Sequence, residues 1–164
     1  MIATAVQFYD VVTWLHISAV VVAFGPTFAY GVFSAVAAQD GLRASLGVAR
    51  GIIKWNQTGL TIGMVVILIT GLYLAGDRWD FGDFFVSWGF VAIIVLFGLA
   101  HGFFMPRERE VVAMLEKESD EAGDRSTEPS AGLMALEGKI AKVGGIAGLL
   151  VILTVYVMTA KPFL

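Results

Sequence analysis

Residues 11–39 read VVTWLHISAVVVAFGPTFAYGVFSAVAAQ, without a single Asp, Glu, Lys or Arg. An α-helix rises about 1.5 Å per residue, and about 20 apolar residues cross a hydrocarbon core about 30 Å thick. The stretch is long enough to span a bilayer. Three more uncharged runs follow it: Gly59–Gly76, Phe84–Met105 and Val143–Ala160. Charged residues make up 15% of the 164-residue chain and fall almost wholly between these runs. A soluble domain carries about 25%. Four such runs need lipid as their solvent. The expected fold class is all-α: an integral membrane four-helix bundle, one transmembrane domain over residues 1–164, with spans at about 9–38, 54–76, 84–105 and 138–160.

The small residues Ser34–Ala38 resemble a leader cleavage site. No basic residue precedes the first run, and it is far longer than a leader's apolar region of about 7–15 residues. It is therefore expected to persist as a helix. Arg43, Arg50 and Lys54 lie between spans one and two, and Arg107, Arg109, Lys117, Arg125, Lys139 and Lys142 between spans three and four. Only Arg78 and Lys161 lie on the other side. Basic residues stay cytoplasmic, so both termini are expected outside. Trp14, Trp79 and Trp88 then fall near the outer interface and Trp55 near the inner one.

Composition narrows the function. Without cysteine there is no disulfide, thiolate ligand or iron–sulfur cluster. A net charge of −3 and the lack of a basic tract argue against a nucleic-acid partner; the lipid bilayer is the partner expected. No Ser/His/Asp set, phosphate-cradling glycine loop or paired intramembrane carboxylate occurs. Asp77, Asp80 and Asp83 read as a solvated outer loop beside Arg78.

Gly25-Pro26 predicts a kink in span one. Span three is expected to stop at Met105-Pro106. A cytoplasmic linker of about 106–137 follows. Within it, Arg107–Ser119 carries helical spacing (Val111, Val112, Leu115) and reads as a juxtamembrane helix on the inner surface. Glu118–Ala131 reads as a mobile polar segment, and Ser130 as the cap of a helix that runs into span four. Small residues four apart (Gly59 and Gly63, Gly98 and Gly102, Gly144 and Gly148) predict close packing within one bundle, and span one offers Ala19, Ala23, Thr27 and Gly31 at the same spacing.

His16 is the leading candidate for chemistry. It lies about 10 Å inside the outer boundary on the face of Ala19, Val20, Ala23 and Thr27, so it points into the bundle. Neutral imidazole is a good iron or copper ligand, and intramembrane ionisable groups are functional candidates by default. The competing reading is a histidine satisfied by a carbonyl or hydroxyl. His101 lies near the inner end of span three, a weaker candidate for cofactor binding. The two differ in depth by about 15 Å, too far to ligate one haem iron together. At the depth of His16 the other spans offer Thr70, Tyr73, Trp88, Phe90, Thr154, Tyr156 and Met158. Met158 is a weak candidate for an axial ligand. Tyr156, with Tyr30 and Tyr73, is a weak candidate for hydrogen-bonding a propionate or quinone.

Trp14-Leu15-His16-Ile17, the Gly25 turn, Tyr30-Gly31, Leu99-Ala100-His101-Gly102-Phe103 and Lys161-Pro162-Phe163 resemble a superfamily of small bacterial membrane proteins. It includes a family of predicted integral membrane proteins of no assigned function, the membrane part of copper-resistance D proteins, and the J-type protoporphyrinogen oxidase. The oxidase branch implies a b-type haem in a helical bundle, ligated by a histidine matching His16. Its His-Ile-Lys motif has no counterpart here, where Ser87-Trp88-Gly89-Phe90 stands. The expectation is a bacterial inner-membrane protein binding haem b or a porphyrin, with a redox-related role. The alternatives are an accessory subunit that packs on a membrane-protein partner or on itself, and a small solute or copper permease.

Overall fold

The computed structural model of the chain describes residues 7–122 and 128–163. Every described element is helical. The α-helices are α1 (Phe8–Phe24), α2 (Tyr30–Gln39), α3 (Leu42–Trp55), α4 (Thr61–Arg78), α5 (Phe84–Leu99), α6 (Met105–Ala122) and α7 (Ala131–Ala160). A 3-10 turn, Gly25–Ala29, joins α1 to α2; π-helical turns join α3 to α4 (Asn56–Leu60) and α5 to α6 (Ala100–Phe104). The result is four rods, each apolar and long enough to cross a membrane: Phe8–Gln39, Leu42–Arg78, Phe84–Glu121 and Ala131–Ala160.

The rods outrun the apolar sequence. Rod three has 38 residues, about 57 Å at 1.5 Å per residue, nearly twice a hydrocarbon core of about 30 Å. The helix of span three therefore does not stop at Met105-Pro106, as its sequence suggested, but runs on past it. Proline has no N–H to donate and its ring crowds the carbonyl four residues back. The π turn at Ala100–Phe104 widens the helix just before Pro106, and Pro106 falls in the first turn of α6, where its missing donor matters least. Nor does α6 lie as a separate surface helix. It prolongs α5 and packs on α3 and the start of α7 around Leu42, Val111, Leu115 and Leu133. Glu118–Ala122 is likewise helix rather than linker; residues 123–127 of that predicted linker lie outside the described residues. Ser130 does cap α7, its hydroxyl accepting from the Leu133 N–H at 3.2 Å.

The two ends differ. At one, the start of α1, the Asp77–Asp83 loop and the end of α7 converge. Arg78 donates to Gln7 at 2.6 Å, the Trp79 indole donates to the Tyr9 hydroxyl at 3.2 Å, and the Lys161 ammonium sits 3.8 Å over the Trp79 ring. A left-handed Lys161 (φ 44°) ends α7 just before Pro162. The other end holds the α3–α6–α7 cluster. Between them α1 packs most extensively against α4, and α5 against α7. The large apolar side chains face outward: Val21, Ile69, Val91, Ile94, Ile146 and Leu149 are all exposed. That arrangement suits lipid and would aggregate in water.

Close approach fixes the α1–α4 seam. Ala23 is wholly buried (0% exposed), and a Cβ added at Gly63 would stand 2.5 Å from the Ala23 Cβ. Gly148 meets Phe28 and Gly144 meets Phe104 in the same way, at ordinary contact distances. Gly98 and Gly102 do not follow the expected pattern, since a Cβ at either meets nothing within 4 Å. Gly63→Ala should therefore destabilise the detergent-solubilised protein by about 1–3 kcal/mol through overpacking, while Gly98→Ala leaves its melting temperature unchanged or raised. Thermal unfolding of the pair checks both.

Candidate functional site

Threonines carry the polar contacts inside the rods. In lipid a hydroxyl has no water to bond, and the carbonyl one turn back on its own helix is the nearest acceptor. Thr13, Thr58, Thr70, Thr154 and Thr159 each donate to that carbonyl at 2.6–2.9 Å. A hydroxyl has one proton, so its oxygen is then free to accept from a neighbouring helix.

Two such oxygens hold the bundle together. His16 Nδ1 lies 2.8 Å from the Thr70 oxygen, joining α1 to α4. The Trp88 indole donates to the Thr154 oxygen at 3.2 Å, joining α5 to α7. The Thr70 hydroxyl has the Val66 carbonyl at 2.6 Å and the Ile67 carbonyl at 3.2 Å as acceptors for its own proton, which favours an Nδ1–H donation from His16. The imidazole is then the tautomer whose Nε2 carries a bare lone pair. Gly71 makes room for the ring: a Cβ there would stand 3.3 Å from His16 Cε1. Among the described residues, only Trp55 Nε1 and Glu108 Oε2 are sealed polar side-chain atoms without a partner. His16 Nε2 makes no hydrogen bond to a described residue, so it is open to its surroundings.

The other candidates lie elsewhere. The Met158 methyl occupies the space a Cβ on Gly89 would fill, in a cluster with Phe85, Val86 and Val157. Tyr156 is 62% exposed on the outer face of α7. His101 stacks on Phe97, with ring centroids 4.1 Å apart, holds its Nδ1 3.0 Å from the Phe97 carbonyl and its Nε2 3.3 Å from the Thr61 hydroxyl. The structure brings none of the three into the contacts of His16. An apolar cleft of about 260 Å³ between α4 and α5, lined by Met64, Val65, Leu68, Ile93, Ile94 and Phe97, also excludes it.

A second polar group has no counterpart in the sequence reading. The Tyr30 hydroxyl donates to Asn56 Oδ1 at 2.9 Å, and Asn56 Nδ2 donates to Glu108 Oε1 at 2.7 Å. Asn56 is 4% and Glu108 9% exposed. Glu108 stands about 36 Å along its rod from Phe84, beyond a hydrocarbon core of about 30 Å. Burial pushes its carboxyl above the ordinary carboxylate range, against the pull of the Asn56 hydrogen bond. The signal lay in the spacing of α6, whose buried stripe runs Met105, Glu108, Val111, Leu115, Ser119.

The family profile described as "Predicted integral membrane protein (DUF2269)" matches residues 10–162. The chain belongs to that family. No curated protein and no solved structure matches this family member. The wider resemblance to copper-resistance D proteins and the J-type oxidase gains no support from the match.

If the threonine oxygens carry the seams, Thr70→Val and Thr154→Val should each destabilise the protein by about 1 kcal/mol. The loss should shrink for Thr70→Val in a His16→Phe background. Unfolding in detergent, read as a double-mutant cycle, checks this.

Proposed function

We propose that this chain is a non-transporting protein of the bacterial cytoplasmic membrane, both termini outside, that holds a b-type haem or another porphyrin through His16. The observation that carries the reading is the hydrogen bond from His16 Nδ1 to Thr70, which leaves Nε2 bare and open. Histidines that bind metal commonly donate their other ring nitrogen to a fixed acceptor, which sets the tautomer and the ring orientation. Trp88 makes the equivalent seam contact with Thr154 but has no second polar atom. A purely structural role would need only one nitrogen; His16 offers two.

The donor chemistry of His16 would suit a haem iron. The α1–α4 seam does not itself admit a macrocycle, given the close approach of Gly63 to Ala23 and of Gly71 to the imidazole. Among the described residues no group of three or more His, Asp or Glu stands close enough to hold a bare metal ion. The reading therefore concerns a prosthetic group that brings most of its own ligands, not a free ion. A bound haem would supply one-electron iron chemistry; His16 would position the iron and Thr70 would hold the imidazole. The orientation rests on nine of the eleven Lys and Arg residues falling in the two connectors on the α3–α6 side.

A second reading rests on Gly98 of α5 and Gly102 of the π turn that follows it, which both face open space. Small residues of this spacing let another membrane helix approach closely. That surface suits an accessory subunit or a homo-oligomer, and it predicts a colourless protein that co-purifies with a partner or with itself.

Oxidised and dithionite-reduced absorption spectra of protein expressed with haem supply separate the two. The haem reading expects a Soret band with reducible α and β bands, lost in His16→Ala. A well-folded wild type without a Soret band overturns it.

A further inference from the structure

The three helical irregularities surround one polar cluster. Tyr30 follows the 3-10 turn, Asn56 opens the first π turn, and Glu108 lies one turn beyond the second. Thr61 stitches the first π turn shut by donating to the Asn56 carbonyl five residues back, at 2.7 Å, and its oxygen lies 3.3 Å from His101 of the second. Interrupted helices at membrane depth are tolerated where they serve a site, and π turns are frequent at functional positions.

Glu108 Oε2 is sealed and has no hydrogen-bond partner among the described residues. Each protonation state leaves one need unmet within the chain, and the carboxylate leaves the larger, a buried charge with no counter-charge. As a carboxylate, Oε2 lacks a donor; as a carboxylic acid, its O–H lacks an acceptor. Nor does a described cation neutralise it. Arg107, on the same helix, lies 4.0 Å over the Phe103 ring and donates to the Phe103 carbonyl. Arg50 of α3 pairs with Glu116 at 2.8 Å, and Arg43 and Lys54 of α3 are exposed. From α7, Glu137, Lys139 and Lys142 are exposed. His101 reaches the cluster only through Thr61, and Tyr30 only through Asn56. Arg125 lies outside the described residues. A buried carboxylate without a counter-charge is strongly unfavourable unless a positive charge is supplied.

We propose that Glu108, held by Asn56 and Tyr30, is the binding site for one monovalent cation, a proton or an alkali ion, at the α3–α6 end of the bundle. One carboxylate held by a single neutral amide donor matches a single positive charge, whereas divalent ions take more carboxylate ligands. The site is independent of whether His16 holds a porphyrin. Asn56 fixes Oε1, which leaves Oε2 as the atom that receives the charge. Tyr30 fixes the Asn56 amide and so acts as a positioning residue.

The two sources differ in sign with pH. A proton needs the acid form. Because burial raises the folded carboxyl above its ordinary value of 4.5, the proton's contribution to stability is whole below that value and is lost as pH rises through the folded one. An alkali ion needs the carboxylate, so its contribution grows as pH rises.

The test uses full-length protein in detergent, as wild type and Glu108→Gln, which keeps an oxygen for Asn56. Melting temperature is read in sodium, potassium or choline chloride at equal ionic strength across pH, together with the infrared carbonyl stretch of a protonated carboxyl. Stabilisation by sodium or potassium over choline, absent in Glu108→Gln, identifies an alkali ion. A protonated-carboxyl band at neutral pH that Glu108→Gln removes, with no alkali response, identifies a proton. Either outcome supports the site. Wild type with neither response overturns it. Should Glu108→Gln fail to fold, Tyr30→Phe decides: the midpoint of whichever response wild type shows should move about fivefold, the loss of one hydrogen bond of about 1 kcal/mol. An unmoved midpoint overturns the proposal.

Discussion

A polar side chain inside a bilayer has no water to turn to, and each one must be satisfied by the protein that carries it. The threonine hydroxyl meets this constraint twice over. Its proton closes onto the carbonyl one turn back, and its oxygen is left as an acceptor aimed at the next helix. Thr70 and Thr154 use it that way, and the seams they serve are the α1–α4 and α5–α7 pairs. The rest of the membrane interior is close packing of small residues, such as Ala23 on Gly63, with bulky aliphatic side chains turned outward. Hydrophobic burial cannot supply helix pairing where the solvent is itself apolar, so close contact and a few hydrogen bonds take over.

Beyond the hydrocarbon the constraint relaxes and the architecture changes. Rods two and three continue past the bilayer as α3 and α6 and meet the first turns of α7 around a core of Leu42, Val111, Leu115 and Leu133. That small cluster is built as a soluble protein would build it, with apolar residues inside and charges such as the Arg50–Glu116 pair outside. The helical irregularities sit where one regime gives way to the other. There the Pro106 defect is absorbed by a widened turn, and a carboxyl such as Glu108 is buried against Asn56.

Much of this was legible in the sequence, for a reason particular to membranes. Four uncharged runs of the right length leave no other solvent, and helical spacing placed His16 on the small-residue face and at the depth of Thr70, Trp88 and Thr154. The structure pairs those four residues two by two. Spacing along one helix gives depth and face but not which neighbour is reached. Met158 and Tyr156 share the depth of His16 yet stand in other surroundings. Glu108 escaped for a different reason. A proline after an apolar run reads as a stop, and a separate surface helix gives no reason to single out one of its glutamates. The spacing of α6 puts Glu108 in one buried stripe with Met105 and Val111, and the packing of α6 on α3 shows which way that stripe faces. Likewise, nothing in the spacing of Gly98 and Gly102 distinguishes them from Gly144 and Gly148, although only the second pair is met by another helix.

The claim from which the rest follows is that Thr70 fixes the His16 imidazole and leaves one nitrogen bare. Solid-state nitrogen-15 NMR of histidine-labelled protein in lipid, with His16 assigned by comparison with His16→Ala, reads it directly. Protonated and bare ring nitrogens resonate apart. The account predicts a protonated Nδ1 and a bare Nε2, with Thr70→Val releasing the ring to a mixture of tautomers. A protonated Nε2 with a bare Nδ1 in the wild type would contradict it, because the lone pair offered to a ligand would then be the one the structure turns toward Thr70.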